Sequence, residues 1–487
     1  MNFFLRRAAT LVPVLLFLSF SLNAQQGTGW LTDPHAGISG ALLQPAATAA
    51  TPYNWDLTLG AFGVGVRNNF VFLEDAAGYS FLRRIASANE TVFSETEFSF
   101  AVDGERYAYD FPAGERPIYA SLSAEVTGPS FSVQVGEYTR VGAFTRLRGM
   151  ASTNNLAADL NFYPYDAFPI EVDIPVTEAY AAAAVWGEIG LNLARTFAVG
   201  YDGELRLGVS PKYLIGIEGA SANSRSVGAL RKLDGDSLFV SNLNGEIAFT
   251  DAFRQAETES NTTGTGFAVD LGVQYAWGET SNGDRRYTVG LSLLDVGGIS
   301  FNRGARKHRF TNPGEVLLDA EDYEFEDNFT DQAISQLSRD VFDGAESSLI
   351  DDKFTVDLPS TISAQFSFRP AEGVQLSAVY RGDLPVHQEQ LSQGSQLLAA
   401  AHYSKWWYGA GVTAGVYDWN QFNLGFQLRL GPVYFGTDEL VGTFLQRGEL
   451  SGGSFYAGVR VHDFGGQRRG RGRKKKRSGG AVKCYDF

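Results

Sequence analysis

Asp319, Glu321, Asp322, Glu324, Glu326 and Asp327 crowd the single run Asp319–Asp331. Hard carboxylate oxygens at that density are the ligands Ca²⁺ prefers. The run lacks the turn glycine and the spacing of an EF-hand loop, so a solvated, self-repelling loop competes with cation binding. The opposite charge gathers at the C-terminus, where Arg468, Arg469, Arg471, Arg473, Lys474, Lys475, Lys476 and Arg477 stand among glycines. Such a segment cannot bury a core and is expected to be disordered. Its charges suit peptidoglycan, lipid head groups or an acidic periplasmic protein, against the alternative of a solvated tail with no partner. Groups able to do covalent chemistry are sparse. His35, His308, His387, His402 and His462 lie far apart, and none sits in a zinc-type motif. There is no Gly-x-Ser-x-Gly elbow and no phosphate-binding loop with its lysine. The glycines between Tyr408 and Gly415 fall in a strand-like run without a following helix, which reads as wall packing. Cys484 is the one cysteine, so no internal disulfide or cysteine-built metal site exists; pairing between chains and an unpaired bystander both stay open. No catalytic residue and no cofactor are expected, and the protein reads as non-enzymatic.

The elements that would position any site come from alternation. In Ile118–Thr127, Ile118, Ala120, Leu122, Ala124 and Val126 alternate with Tyr119, Ser121, Ser123, Glu125 and Thr127, which gives one strand face apolar and the other polar. Leu205, Leu207 and Val209 repeat the pattern, as do Ile362, Ala364, Phe366 and Phe368, and Phe422, Leu424, Phe426, Leu428 and Leu430. Polar residues such as Lys212, Gln365 and Arg429 face away from the apolar rows. A soluble sandwich alternates in the same way, but many long strands with a polar reverse face fit a wall between lipid and a polar lumen better.

Met1–Ala24 reads as a cleaved signal peptide: Arg6 and Arg7 precede an apolar stretch, and Leu22-Asn23-Ala24 forms the cleavage site. Its apolar core falls short of the roughly 18 to 20 residues a spanning helix needs. Residues 25–53 form a strand-poor lead-in, luminal or periplasmic, with the lumen favoured. Residues 54–464 then make the barrel and 465–487 the basic tail. The 55 Gly, 36 Phe and 21 Tyr against 2 Met suit strands, turns and aromatic girdles. The expected fold is all-β, a single antiparallel transmembrane barrel of about 14 strands with long extracellular loops. Strand-like runs include Trp55–Arg67, Leu238–Phe249 and Phe354–Arg369, and Gly128-Pro129 reads as the turn of a hairpin between Ile118–Thr127 and Ser130–Tyr138. The net charge of −15 includes eight basic residues in the tail, so the body is strongly acidic and an unsuitable nucleic-acid ligand.

Seven short motifs occur in order: Leu43-Gln44-Pro45-Ala46, Gly128-Pro129-Ser130-Phe131, Thr145-Arg146-Leu147-Arg148, Lys212-Tyr213-Leu214-Ile215-Gly216, Asp270-Leu271-Gly272, Asp295-Val296-Gly297 and Tyr434-Phe435-Gly436-Thr437-Asp438. With them the chain, from about Gly37 to Phe464, resembles an uncharacterised outer-membrane β-barrel family of Bacteroidota, a domain-of-unknown-function family. More distantly it is similar to the long-chain fatty-acid transporter barrels. That likeness implies a barrel with an N-terminal luminal segment and, by analogy only, passage of a solute. No ligand-contacting motif of those transporters is present. Phe464 supplies a terminal aromatic, yet the chain runs on to Phe487. The expectation is an outer-membrane barrel that passes or binds a small solute, apolar solutes included. The alternative is a scaffold barrel whose tail docks on peptidoglycan or on a secretion or motility component.

Overall fold

The computed structural model describes residues 27–69, 72–74, 91–93, 99–102, 105–110, 118–157, 169–176, 178–225, 228–234, 237–250, 262–281, 283–323, 329–384, 390–419, 421–439, 449–450 and 452–463. The leader and the basic tail lie outside the described residues.

Fourteen antiparallel strands close into one barrel. β1 is Trp55–Asn68, β2 runs through Ile118–Thr127 and Ser130–Val135, β3 is Thr139–Leu156, β4 Ala179–Val199 and β5 Gly203–Ser224. β6 is Gly264–Glu279, β7 Arg285–Phe301, β8 combines Phe354–Asp357 with Thr361–Ala371, and β9 is Val374–Asp383. β10 (Gln396–Ser404), β11 (Tyr408–Tyr417), β12 (Gln421–Leu430), β13 (Val433–Thr437) and β14 (Gly452–His462) complete the wall. β14 pairs with β1, from Asp56↔His462 to Arg67↔Gly452, so the ring has no free edge. All the long excursions leave one rim, together with the three-residue turn between β11 and β12, and the other two- to five-residue turns leave the opposite rim, which also holds both ends of the wall, where Asn54 bonds Asp463.

Two expectations are corrected. Gly128-Pro129 is no hairpin turn: both halves of β2 pair with β1 and both pair with β3, so the segment is one strand bent where Pro129 has no N–H to give. The turn comes later, around Gly136 at φ 68°. Leu238–Phe249 is no wall strand either. It belongs to Leu238–Thr250, which sits beyond the rim between Gly228–Lys232 and Ala305–Leu318, and joins the wall at the loop-side end of β5, where it pairs with Ala220–Ser224 and Thr250 bonds Glu218 and Gly219. The excursion after β7 also holds a helix, Phe329–Phe342, whose Ile334, Leu337 and Val341 pack on Phe249 and Phe310.

The wall is inside-out relative to a soluble protein. Along β4, Ile189, Leu191 and Leu193 are 51%, 60% and 49% exposed, whereas Glu188 and Asn192 are 1% and 2% exposed. Exposed apolar side chains recur on every long strand, the arrangement lipid demands. Aromatic rings mark two belts: Tyr275, Trp277, Tyr287 and Phe368 stack in sequence toward the short-turn rim, and Tyr380 and Trp419 stack at the other.

Candidate functional site: the barrel lumen

Residues 27–53 lie within the ring as a plug of one helical turn, Thr28–Leu31, and two 3-10 turns, Gly37–Leu42 and Pro45–Ala50. Too short to bury a core of their own, they use the barrel's. Trp30 stacks on Tyr434 at 3.9 Å between ring centroids and is 1% exposed. Gln44 donates to the carbonyls of Val273 and Leu291, and Thr48 to Asn192. Wall glycines make the room: a Cβ on Gly208 would lie 2.3 Å from Ala46 N, and one on Gly272 would lie 1.9 Å from Gln44 Oε1.

At the short-turn rim the plug is riveted. Arg140, fully buried, donates to Asp56 (2.5 Å) and to the Tyr53 carbonyl (2.7 Å), while Asp56 also accepts from Ile38 N and Ser132. Here the fold gathers three histidines that are scattered in sequence. His35 bonds the Tyr53 hydroxyl, Tyr53 stacks on His462, and His402 stands between Thr32 and Gln427, 3.9 Å from Asp33. Burial pushes the His35 imidazole down to about 3, with Arg429 and Arg460 adding to the fall and Asp33 opposing it. Burial alone would raise Asp33, but His402, His35 and Arg429 outweigh it and hold that carboxyl below its usual value. Between the ordinary imidazole value of about 6.5 and about 3, a released plug binds a proton that a seated one does not, so acid weakens the seat across that window. The expected result is a melting temperature that falls as pH drops from 7 to 4, and falls less in His35→Gln; equal slopes for both proteins would contradict it.

Above the plug lies a layer of ion pairs that the sequence reading missed. Glu188 accepts from Arg146 Nε at 2.8 Å, Arg148 Nη1 at 2.9 Å and Trp186 Nε1 at 2.8 Å. Arg146 also meets Glu125, Arg148 meets Asp295 at 3.1 Å, and Lys212 joins Asp270 (2.6 Å) to Asp295. A bulge in β7 aims Asp295 inward: it has φ 57°, and its N–H bonds Asp270. Gly297 beside it has φ 151°, and a Cβ there would lie 2.1 Å from the Phe267 carbonyl. The signal was available as charges at period-two spacing inside strands. Four of the seven ordered motifs, those bearing Arg146 and Arg148, Lys212, Asp270 and Asp295, meet in this layer.

Toward the loop rim the lumen turns apolar. Met150, Trp186, Leu214, Ile299, Phe301 and Leu358 form one buried cluster on the inward face, joined by Leu391. Leu391 comes from no strand. It lies on residues 390–395, which leave β9 and cross the lumen: Ser392 N bonds Ser152 on β3, and Ser121 on β2, seven strands round the ring, bonds the Ser392 carbonyl. Asp383 fixes this strap by accepting from Gln393 N and Gly394 N. A small cavity lined by Thr28, Arg67, Arg381 and Asp438 leaves about 20 Å³ for water, room for little more than one molecule.

The residues singled out from sequence stay apart from this site. Asp319 directly follows Ala305–Leu318, Glu321 and Asp322 lie in the turn Ala320–Tyr323, and Glu324, Glu326 and Asp327 lie outside the described residues. Among the described residues no three carboxylate, histidine or cysteine side chains group as metal ligands. Arg468 through Arg477 and Cys484 lie outside the described residues, as does His387, while His308 is buried in the loop-side extension, bonded to Ser348.

Among solved structures, the chain is similar to a mutant of the monoaromatic hydrocarbon channel TodX (8% identity, 87% of this chain and 94% of that one, TM-score 0.39), whose parent is from Pseudomonas putida. It is similar also to the toluene transporter TbuX of Ralstonia pickettii (8% identity, 88% and 94%, TM-score 0.31) and to the outer membrane protease OmpT of Escherichia coli (6% identity, 85% and 98%, TM-score 0.22). A transporter and a protease at such distances tell nothing about activity. No curated protein matches the sequence. One family model does match, over residues 45–438, a span that takes in the wall from β1 to β13 and all four motifs of the ion layer, and the chain therefore belongs to the family of unknown function DUF5723.

Proposed function

We propose that the protein is a non-enzymatic barrel of the outer membrane that binds or passes a small solute, apolar solutes included, and that residues 27–53 close its lumen at rest. The observation that carries this reading is a closed inside-out wall whose lumen is filled by the chain's own N-terminal segment. A structural wall has no need of a separate plug, whereas a conduit must be shut between solutes. The apolar cluster of Met150, Trp186, Leu214 and Phe301 on the loop side of the ion layer supports an apolar cargo. Lipid is the partner of the outer face, and no cofactor is invoked.

One observation favours a second reading, a scaffold barrel held through Arg468–Arg477 to peptidoglycan or a periplasmic machine. The wall ends with β14 at the short-turn rim, the side from which such a tail would reach the periplasm. Both readings are tested in Gram-negative cells with an intact lipopolysaccharide layer, by the uptake rate of N-phenyl-1-naphthylamine with the chain expressed or absent. Faster uptake with the chain is expected. Equal uptake, from protein whose gel migration changes on heating, overturns the conduit and leaves the scaffold, for which loss of cell-wall attachment on deleting the tail is the next measurement.

A further inference from the structure

Leu391 is 0% exposed although it arrives on a strap of chain rather than on the wall. Every other bond that holds the strap is polar and exchangeable with water. Leu391 N donates to the Asp357 carbonyl at 3.0 Å, Ser392 N to Ser152 Oγ at 3.0 Å, and Gln393 N and Gly394 N to Asp383 at 3.1 Å. The strap's one apolar anchor is therefore a single side chain in the cluster formed by Met150, Trp186, Leu214, Phe301 and Leu358.

We infer that this cluster is the solute site, that it takes an uncharged apolar or aromatic molecule, and that Leu391 is its built-in occupant, which the solute displaces. The inference rests on the reading of the barrel as a binder or conduit and names the site within it. Uncharged solutes are selected because Arg148, whose guanidinium lies over the Trp186 ring at 4.9 Å, is already paired with Glu188 and Asp295. The charges below the cluster are all paired, Arg148 with Glu188 and Asp295 and Lys212 with Asp270 and Asp295, so an ion arriving there would lose its hydration without gaining a partner. The resting contact makes the empty site a minor state, which lowers apparent affinity by the fraction of time Leu391 is out. The same displacement reaches the plug: Arg381 donates to Gln393 Oε1 on the strap at 2.8 Å and to Thr28 Oγ1 on the plug at 3.4 Å. Lifting the strap removes one of the two contacts that hold this guanidinium between the closures.

The test uses the full-length protein in nanodiscs titrated with N-phenyl-1-naphthylamine, with protein-free discs subtracted. Wild type is expected to show a weak saturable component, Leu391→Ala to bind about tenfold tighter because the competing side chain is gone, and Ala182→Phe, which enlarges a buried β4 residue of the same cluster so as to fill it, to lose binding. Unchanged affinity in Leu391→Ala, or wild-type binding in Ala182→Phe, overturns the site. If Ala182→Phe fails to fold, Leu391→Ala alone decides. Cellular uptake that ignores Leu391→Ala would sink the site and leave the conduit standing. Binding that follows the variants without any uptake would keep the site and make the barrel a binder.

Discussion

Deleting residues 27–53 is expected to convert a barrel that is silent in planar bilayers into one that conducts in steady steps. The wall does not depend on the plug for closure, because β1 and β14 pair along their length. Apart from the rings that pack on Trp30 and Ile38, Tyr434 and Phe144 among them, many of the side chains that now bind the plug are polar and would accept water instead: Asn192 loses Thr48 and the Pro45 carbonyl, Ser292 and Gln365 lose the Leu43 carbonyl, and Gln375 loses the Thr32 carbonyl. Arg140 keeps Asp56 and Ser132, while Asp438, which now accepts from Gly29 N, and Arg460, which lies over the Trp30 and Tyr53 rings, would turn to the incoming water. Channel interiors of this width fill with water when nothing packs them. Silence of the deleted protein, shown to be folded, would mean that the ion layer, the apolar cluster and the strap close the lumen by themselves. The plug would then be a structural filler, and the scaffold reading would gain.

How far the sequence reaches into this picture depends on what sets each element. Period-two alternation specifies a strand wherever one face meets lipid, and it placed most of the wall. It cannot say which neighbour a strand takes, and so it split β2 at Gly128-Pro129, where a bend and a turn call for the same residues, and put Leu238–Phe249 in a wall it only touches. The lead-in was legible as a segment unable to make its own core, but its partners lie up to several hundred residues away, as with Gln375 and Thr32. The ion layer was visible only residue by residue. Glu188, Lys212 and Asp295 each read as a lone polar position on a strand, and only closure of the ring makes them neighbours. The apolar cluster hides for the opposite reason. Trp186 and Leu214 occupy the inward phase of their strands, where they look like interruptions of a pattern and not like members of one site. The strap is the least legible element, since a crossing of the lumen by residues 390–395 depends on the distance between opposite walls.

Replacing Glu188 by Gln is expected to cost about 3–5 kcal/mol of stability, the range for leaving buried charges without their partner, read as a lower denaturant midpoint or a lower temperature for the heat-dependent gel shift. Counting charges would give another answer. Among the described residues the layer holds three cations, Arg146, Arg148 and Lys212, against four carboxylates, Glu125, Glu188, Asp270 and Asp295, so removing one negative charge would balance the set. Geometry decides against the count. Glu188 is the carboxylate within ion-pair distance of both guanidinia, whereas Glu125 reaches only Arg146, at 3.3 Å, and Asp295 reaches Arg148 but is shared with Lys212. Its loss leaves Arg146 on one long contact in a place water does not reach. A double-mutant cycle with Arg146→Gln separates the two accounts. Strong coupling between Glu188 and Arg146 is the signature of the geometric one, and additive losses, or a stable Glu188→Gln protein, would show that net charge governs the layer. The exposed pair Arg231 and Asp173, at 2.7 Å and with both side chains a third or more exposed, is the internal control: Asp173→Asn should leave the midpoint unmoved.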